Sequence, residues 1–184
     1  MRKLEKVAFL LCCLALMCVM GVGAWSVIDK GAAFDDYKDA RPAFGYLRYE
    51  TLSFAPTKKG DADKKAEQQE VAAPILEEVQ TAVSYTGTQA SQCPVDTRLQ
   101  SLCCCNAVRD PSYTLADSEV TFVAYRELLG KGYLWVTVDQ SAANAAGETQ
   151  TVWDGALCLV EVKPADDGTF TVTDMVIAEL AEKE

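Results

Sequence analysis

An unbroken uncharged run, residues 7–28 (VAFLLCCLALMCVMGVGAWSVI), follows the basic start MRKLEK and constrains the chain more than any other feature. As a helix rising ~1.5 Å per residue it would be roughly 33 Å long, enough to cross a hydrocarbon core of about 30 Å. Arg2, Lys3 and Lys6 against Glu5 make the leading flank positive, whereas the far flank carries Asp29, Lys30, Asp35 and Asp36. This asymmetry holds the N-terminus in the cytoplasm and sends everything beyond Trp25 across the membrane. A cleaved secretory signal is the rival, since Val22-Gly23-Ala24 offers small residues for cleavage before Trp25. The run exceeds the roughly 7–15 residues of a signal core, and Trp25 sits where an interfacial aromatic marks a bilayer boundary. Length therefore favours a retained anchor, with a secreted protein as the alternative. Cys18 is preceded by Met17, which is too bulky for a lipoprotein cleavage site. Cys12, Cys13 and Cys18 read as small apolar residues of the run rather than acylation sites.

These boundaries divide the chain into an anchor over 1–28, a juxtamembrane linker over 29–60 with a short strand, and an α+β domain over 61–184. Residues 1–6 hold three bases and one acid, so of the formal −10 the rest of the chain carries −12. Such a domain repels phosphate backbones, and nucleic acid is not expected as a partner. The partners expected are the membrane, through the N-terminal run, and a protein or small apolar ligand. The sequence contains no His. That excludes His-dependent triads, HExxH sites and imidazole proton shuttles, leaving Asp, Glu, Tyr, Lys or Cys for any acid–base chemistry. No GxSxG, P-loop or GxGxxG is present, and Gly130-Lys131-Gly132 is too short to cradle a phosphate.

Within the domain the hydrophobic period changes once. Residues 45–54 (GYLRYETLSF) are aromatic and β-branched, which predicts a short strand. From Pro74, suited to a first helical turn, Ala72, Ile75, Leu76, Val79, Ala82 and Val83 recur at helical spacing. Asp96 as N-cap predicts a second helix to about Val108, with Leu99, Leu102, Cys103 and Asn106 inward and Cys104 outward. Thereafter the period is two, and strands are expected over 119–128, 132–140, 149–163 and 169–180. The turns Leu129-Gly130-Lys131-Gly132 and Asp166-Asp167-Gly168 connect neighbours too closely for crossovers, so the pairing is antiparallel. Helices before a strand meander give an α+β domain with helices on one sheet face. Alternation sets Leu134, Val136 and Val138 against Tyr133, Trp135 and Thr137. It sets Val152, Ala156, Cys158, Val160 and Val162 against Trp153, Leu157 and Leu159, and Phe170, Val172 and Val176 against Met175 and Ile177. With both faces apolar, the sheet is expected to be covered on one side and to curve over a pocket or interface on the other.

The helix–meander order, the GYLWVTVD strand and the closing phrase Asp167, Gly168, Phe170, Val172 and Asp174 resemble the C-terminal half of NTF2-like (SnoaL-like, cystatin-like) domains over about residues 62–180. The resemblance implies a cone-shaped cavity between a curved antiparallel sheet of about four strands and its helices. The family includes isomerases, hydratases and non-catalytic extracytoplasmic modules. A strand at 45–54, ahead of the helices, departs from that order.

Five cysteines lie beyond the apolar run: Cys93, Cys103, Cys104, Cys105 and Cys158. In an oxidising compartment one disulfide between Cys93 and a member of the triplet is expected, with Cys103 and Cys105 the named candidates. Three consecutive residues cannot readily surround one ion, and the paired CxxC spacing of thiolate sites is missing, so neither metal nor cofactor is expected. Asp139, ending an apolar strand, and Asp154, after Trp153, are the candidate general bases, because a carboxylate on an apolar wall can be held protonated to higher pH. Tyr125, Tyr133, Trp135 and Trp153 are the candidate binding residues. The bland alternative for both carboxylates is a strand end facing water, or a pairing with Arg126 or Lys131. The function expected is that of a non-catalytic binding module held outside the cytoplasm. The competing class is a small lyase or isomerase with an Asp base, and a third, a redox protein, would need an exposed low-pKa thiol.

Overall fold

The computed structural model describes residues 34, 36–54 and 62–179. The apolar run at 7–28 lies outside them, and among the described residues no helix is long and apolar enough to cross a membrane. The chain is α+β, with helical segments packed on a four-stranded antiparallel sheet in the order β1-β2-β3-β4. The strands are β1 (Thr114–Leu128), β2 (Lys131–Ala143), β3 (Thr149–Pro164) and β4 (Phe170–Ala178). Each pairs with its chain neighbour, as the short turn sequences require. At the β1–β2 turn both central residues have positive φ, Leu129 at 54° and Gly130 at 75°. Two successive left-handed residues match the right-handed twist of the flanking strands, although a Leu is poorly suited to the first position.

On one face lies the long helix Ala62–Val83. Its buried residues are those picked out by the 3/4 spacing: Ala72, Ile75, Leu76, Val79, Ala82 and Val83. They meet Phe122, Leu134, Val136, Val138, Cys158, Val160 and Val162 from the sheet. The helix begins twelve residues ahead of Pro74, not at it, so Pro74 stands in the interior. A proline there forfeits one backbone hydrogen bond, and Pro74 is on the exposed side, where water can serve the freed carbonyl. Gln68 of this helix accepts from the Tyr125 amide at 3.2 Å, next to the bulge at Val123 where ladder pairing slips.

The opposite face is covered by residues 36–54, which do not form the expected strand. They make a 3-10 turn at Lys38–Ala40, two single-turn helices, α1 (Arg41–Phe44) and α2 (Tyr46–Tyr49), and a further 3-10 turn at Glu50–Phe54; the helix Ala62–Val83 is therefore α3. Gly45, at φ 75°, turns the chain between α1 and α2. Aromatic and β-branched content signals a half-buried surface rather than a strand as such. Here Phe44, Tyr49 and Leu52 are buried against Trp135, Leu157 and Leu159. Phe44 and Tyr49 meet the Trp135 ring edge-on at 4.9 and 6.2 Å, and Trp135 Nε1 donates to Thr51 Oγ1 at 2.8 Å.

The second helix also differs from expectation. Leu99–Leu102 is a 3-10 turn and α4 (Cys104–Ala107) a single α turn, broken at Cys103 by an extended ψ of 132°. Leu99, Leu102 and Cys103 are buried as expected, but the break rotates the succeeding turn, so that Cys104 is buried and Asn106 exposed. Two register shifts likewise reverse face assignments. Glu161 pairs with Asp174 and Val162 with Val172, leaving Thr173 over. Met175 and Ile177 therefore join Phe170 and Val172 on the α3 face, and Val176 crosses to the other. Between β2 and β3, Val138 pairs with Ala156 but Gln140 with Trp153, which brings Trp153 to the α3 side.

Candidate functional site

The β2–β3 bulge positions both candidate bases. Gly155 takes φ 57° there, and its N–H, turned out of the ladder, donates to Asp139 Oδ1 at 2.7 Å. Asp139 thus satisfies a backbone donor that the bulge frees, while Asp154 is exposed. Asp154 thus faces water, as one branch of the bland alternative has it, while the Asp139 hydrogen bond goes to a backbone amide and Lys131 is bound to Glu161. Asp139 borders an open depression of about 140 Å³ with Asp117, Glu119, Ser141, Thr151 and Trp153. Tyr37 lies near it, its hydroxyl pushed above the usual phenol range by burial and by the charges of Asp36 and Asp139.

The four aromatic candidates are not brought together. Trp135 is buried beneath α1 and α2, with Tyr133 half-buried on the same face. Tyr125 is buried on the α3 face, where its hydroxyl donates to Glu127 at 3.0 Å; burial and that carboxylate push its pKa up. The ring lies across Gly132, where a Cβ would come within 2.5 Å of the Tyr125 hydroxyl. Trp153 packs at the rim of the α3 core, its Nε1 buried without a hydrogen-bond partner among the described residues.

The cysteines do converge, at the corner where the C-terminal end of α3 meets the 3-10 turns. Cys93 and Cys103 are buried in the α3 core, and Cys105 is half-buried beside them. A cleft of about 170 Å³ opens there, lined among others by Tyr85, Cys104, Cys105, Arg109 and Tyr113. Burial raises Cys104 and Cys105, and burial with Cys93 alongside pushes Cys103 up to about 12. Thiols shifted in this direction stay protonated at neutral pH and are weak nucleophiles, the reverse of what a redox-active cysteine needs. Among the described residues no three His, Cys, Asp or Glu side chains converge in a way that could hold a metal ion.

One constellation escaped the sequence reading. Glu161, 4% exposed, lies in the middle of β3 on the Trp135 face. Arg48 of α2 reaches it at 2.5 Å and Lys131 at 3.1 Å, and Arg48 also contacts Asp174 at 2.6 Å. Lys131 is held above its ordinary pKa by that carboxylate. The available signal was a lone acid within the apolar run ALCLVEV. Exposed apolar side chains flank this network: Tyr46 and Leu47 beside Arg48, and Leu128 and Leu129 beside Lys131, with Leu129 95% exposed.

No family model matches the chain, and no curated protein or solved structure matches it either.

Proposed function

We propose that this chain is a membrane-tethered, extracytoplasmic, non-catalytic interaction module that binds a protein partner through its surface. The observation that carries the reading is the filling of both sheet faces. Leu134, Val136 and Val160 are buried against α3, and Trp135, Leu157 and Leu159 against residues 34–52. A lyase or isomerase needs an enclosed space with a desolvated base facing substrate. Here Asp139 is committed to the Gly155 amide and Asp154 faces water. The helix-then-meander order supports an NTF2-like relationship, with packed side chains standing where that family's cavity is expected.

Export rests on the residue 7–28 run and its charge flanks. The contact surface we assign is the sheet end bearing Tyr46, Leu47, Leu128 and Leu129. Leu129 combines near-complete exposure with a left-handed backbone, a local cost that stability alone does not favour. A photo-crosslinking residue placed at Leu47 or Leu129 of the full-length, C-terminally tagged chain tests the surface, with exposed Thr149, at the opposite end of the sheet, as control. Adducts at 47 and 129 but not 149 are expected; equal labelling, or none, contradicts the assignment. Added protease should strip the tag from intact cells, and protection would contradict export.

A further inference from the structure

We infer that Cys93 and Cys103 are the pair that oxidises to the disulfide, with Cys104, Cys105 and Cys158 remaining thiols. The sequence leaves the partner of Cys93 open within the triplet; the backbone narrows it. Cys93 terminates the 3-10 turn Ala90–Gln92 and Cys103 the turn Leu99–Leu102, each with extended backbone at ψ 127° and 132°. Gln100 ties the two ends together, its side chain donating to Cys93 O at 3.3 Å while its carbonyl accepts from Cys103 N at 3.2 Å. Both cysteines pack in the core that includes the last turns of α3. Cys93 Sγ lies 3.9 Å from Thr81 O, and the buried Gln140 amide joins Val83 O to Leu102 O, next to Cys103.

The two side chains share one dry core, and Cys93 lies near enough to help burial raise the Cys103 thiol. The other thiols are placed differently. Cys104 packs with Val108 and Ala142 in a separate cluster, and Cys158, though in the same core, stands on β3 with burial alone acting on its thiol. Cys105 is half-buried and borders the cleft.

Oxidation needs a donor disulfide, of the glutathione-disulfide or protein-disulfide class. Before the core closes during folding, one cysteine thiolate attacks a donor sulfur and expels a thiolate, which takes up a proton. The second cysteine then attacks the mixed disulfide and expels the second donor thiol. The chain loses two electrons and two protons, and the donor disulfide becomes two thiols. The pairing is a property of the fold; only the supply of the donor in cells rests on the export reading.

Arg98 lies between the two cysteines, so trypsin places them on separate peptides, 66–98 and 99–109. The full chain in detergent is refolded with reduced and oxidised glutathione, alkylated, and digested without reduction. The expected product is the two peptides joined, in the wild type and equally in Cys104→Ser and Cys105→Ser, and separated in Cys103→Ser. Recovery of the two peptides unlinked from the wild type, 66–98 with one alkyl group and 99–109 with three, overturns the inference. So does a link that survives Cys103→Ser and is lost in Cys105→Ser. The same map on protein alkylated in intact cells separates the two readings: a link formed by refolding but missing in cells upholds the pairing and overturns export.

Discussion

The two faces of the sheet are covered by different physics. Under α3 the contact is long, regular and dry: one helix, one apolar stripe, and strand residues such as Leu134, Val136 and Val160. Under residues 34–52 the cover consists of single turns, each too short to be helical alone. The forces that hold them are tertiary: two aromatic rings about Trp135, one indole–hydroxyl bond, and the ion pairs of Arg48 with Glu161 and Asp174. A periodic face can be read from sequence because the pattern is local. A cover of isolated turns cannot, because its stability lies in partners 84 or 126 positions away.

The largest effect that could break this contrast is expected at Trp135. Truncation to Ala empties the centre of the second layer and should destabilise by about 4 kcal/mol, against about 3 for Leu134→Ala on the α3 face. Urea denaturation measures both. Equal, small losses near 1 kcal/mol would mean that the second layer is loosely held. Arg48→Ala should cost about 2 kcal/mol: it leaves the buried Glu161 with Lys131 alone, and the exposure of Arg48 keeps the loss below that of a fully buried pair. Glu161→Gln in the Arg48→Ala background should then add much less than it does alone, because the pair is already broken.

Several features were legible and others were not, for identifiable reasons. The four strands, their antiparallel order and the buried stripe of α3 arise from periods of 2 and 3.6 that no long-range contact had to supply. Residues 45–54 misled because Tyr46, Tyr49 and Thr51 suit a strand by composition, whereas no sheet edge takes them up. Val176 and Trp153 misled because one unmatched residue at a bulge flips every later side chain, and alternation alone does not mark a bulge. At the site, the chain brought Cys93, Cys103 and Cys105 to one corner as free thiols. It scattered the aromatic candidates over two faces and gave Asp139 a backbone partner that no spacing rule announces.

Smaller effects sharpen the contrast. Cys158, on the α3 face, has its thiol raised from 9.0 to about 12 by burial. The fold favours the neutral thiol, so this contribution is intact below pH 9 and fades as pH rises through about 12. Stability tracked from pH 8 to 11 should decline, and Cys158→Ala should be less stable at pH 8 but flatter with pH. An unchanged slope in the variant would contradict the assignment. The smallest effect is at the β1–β2 turn, where Leu129→Asn relieves a left-handed Leu and should stabilise by about 0.5–1 kcal/mol. Thermal melting checks it, and a loss of stability would show that the Leu129 side chain packs on the fold.

Residues 34–54 act as a structural layer rather than a tether, and truncation tests this directly. Chains spanning 34–184 and 62–184 are compared by urea denaturation monitored by circular dichroism. The longer chain should unfold in one cooperative transition, and the shorter, with Trp135, Leu157 and Leu159 uncovered, should lose that transition or aggregate. A chain of 62–184 that unfolds with the same midpoint and cooperativity would contradict it.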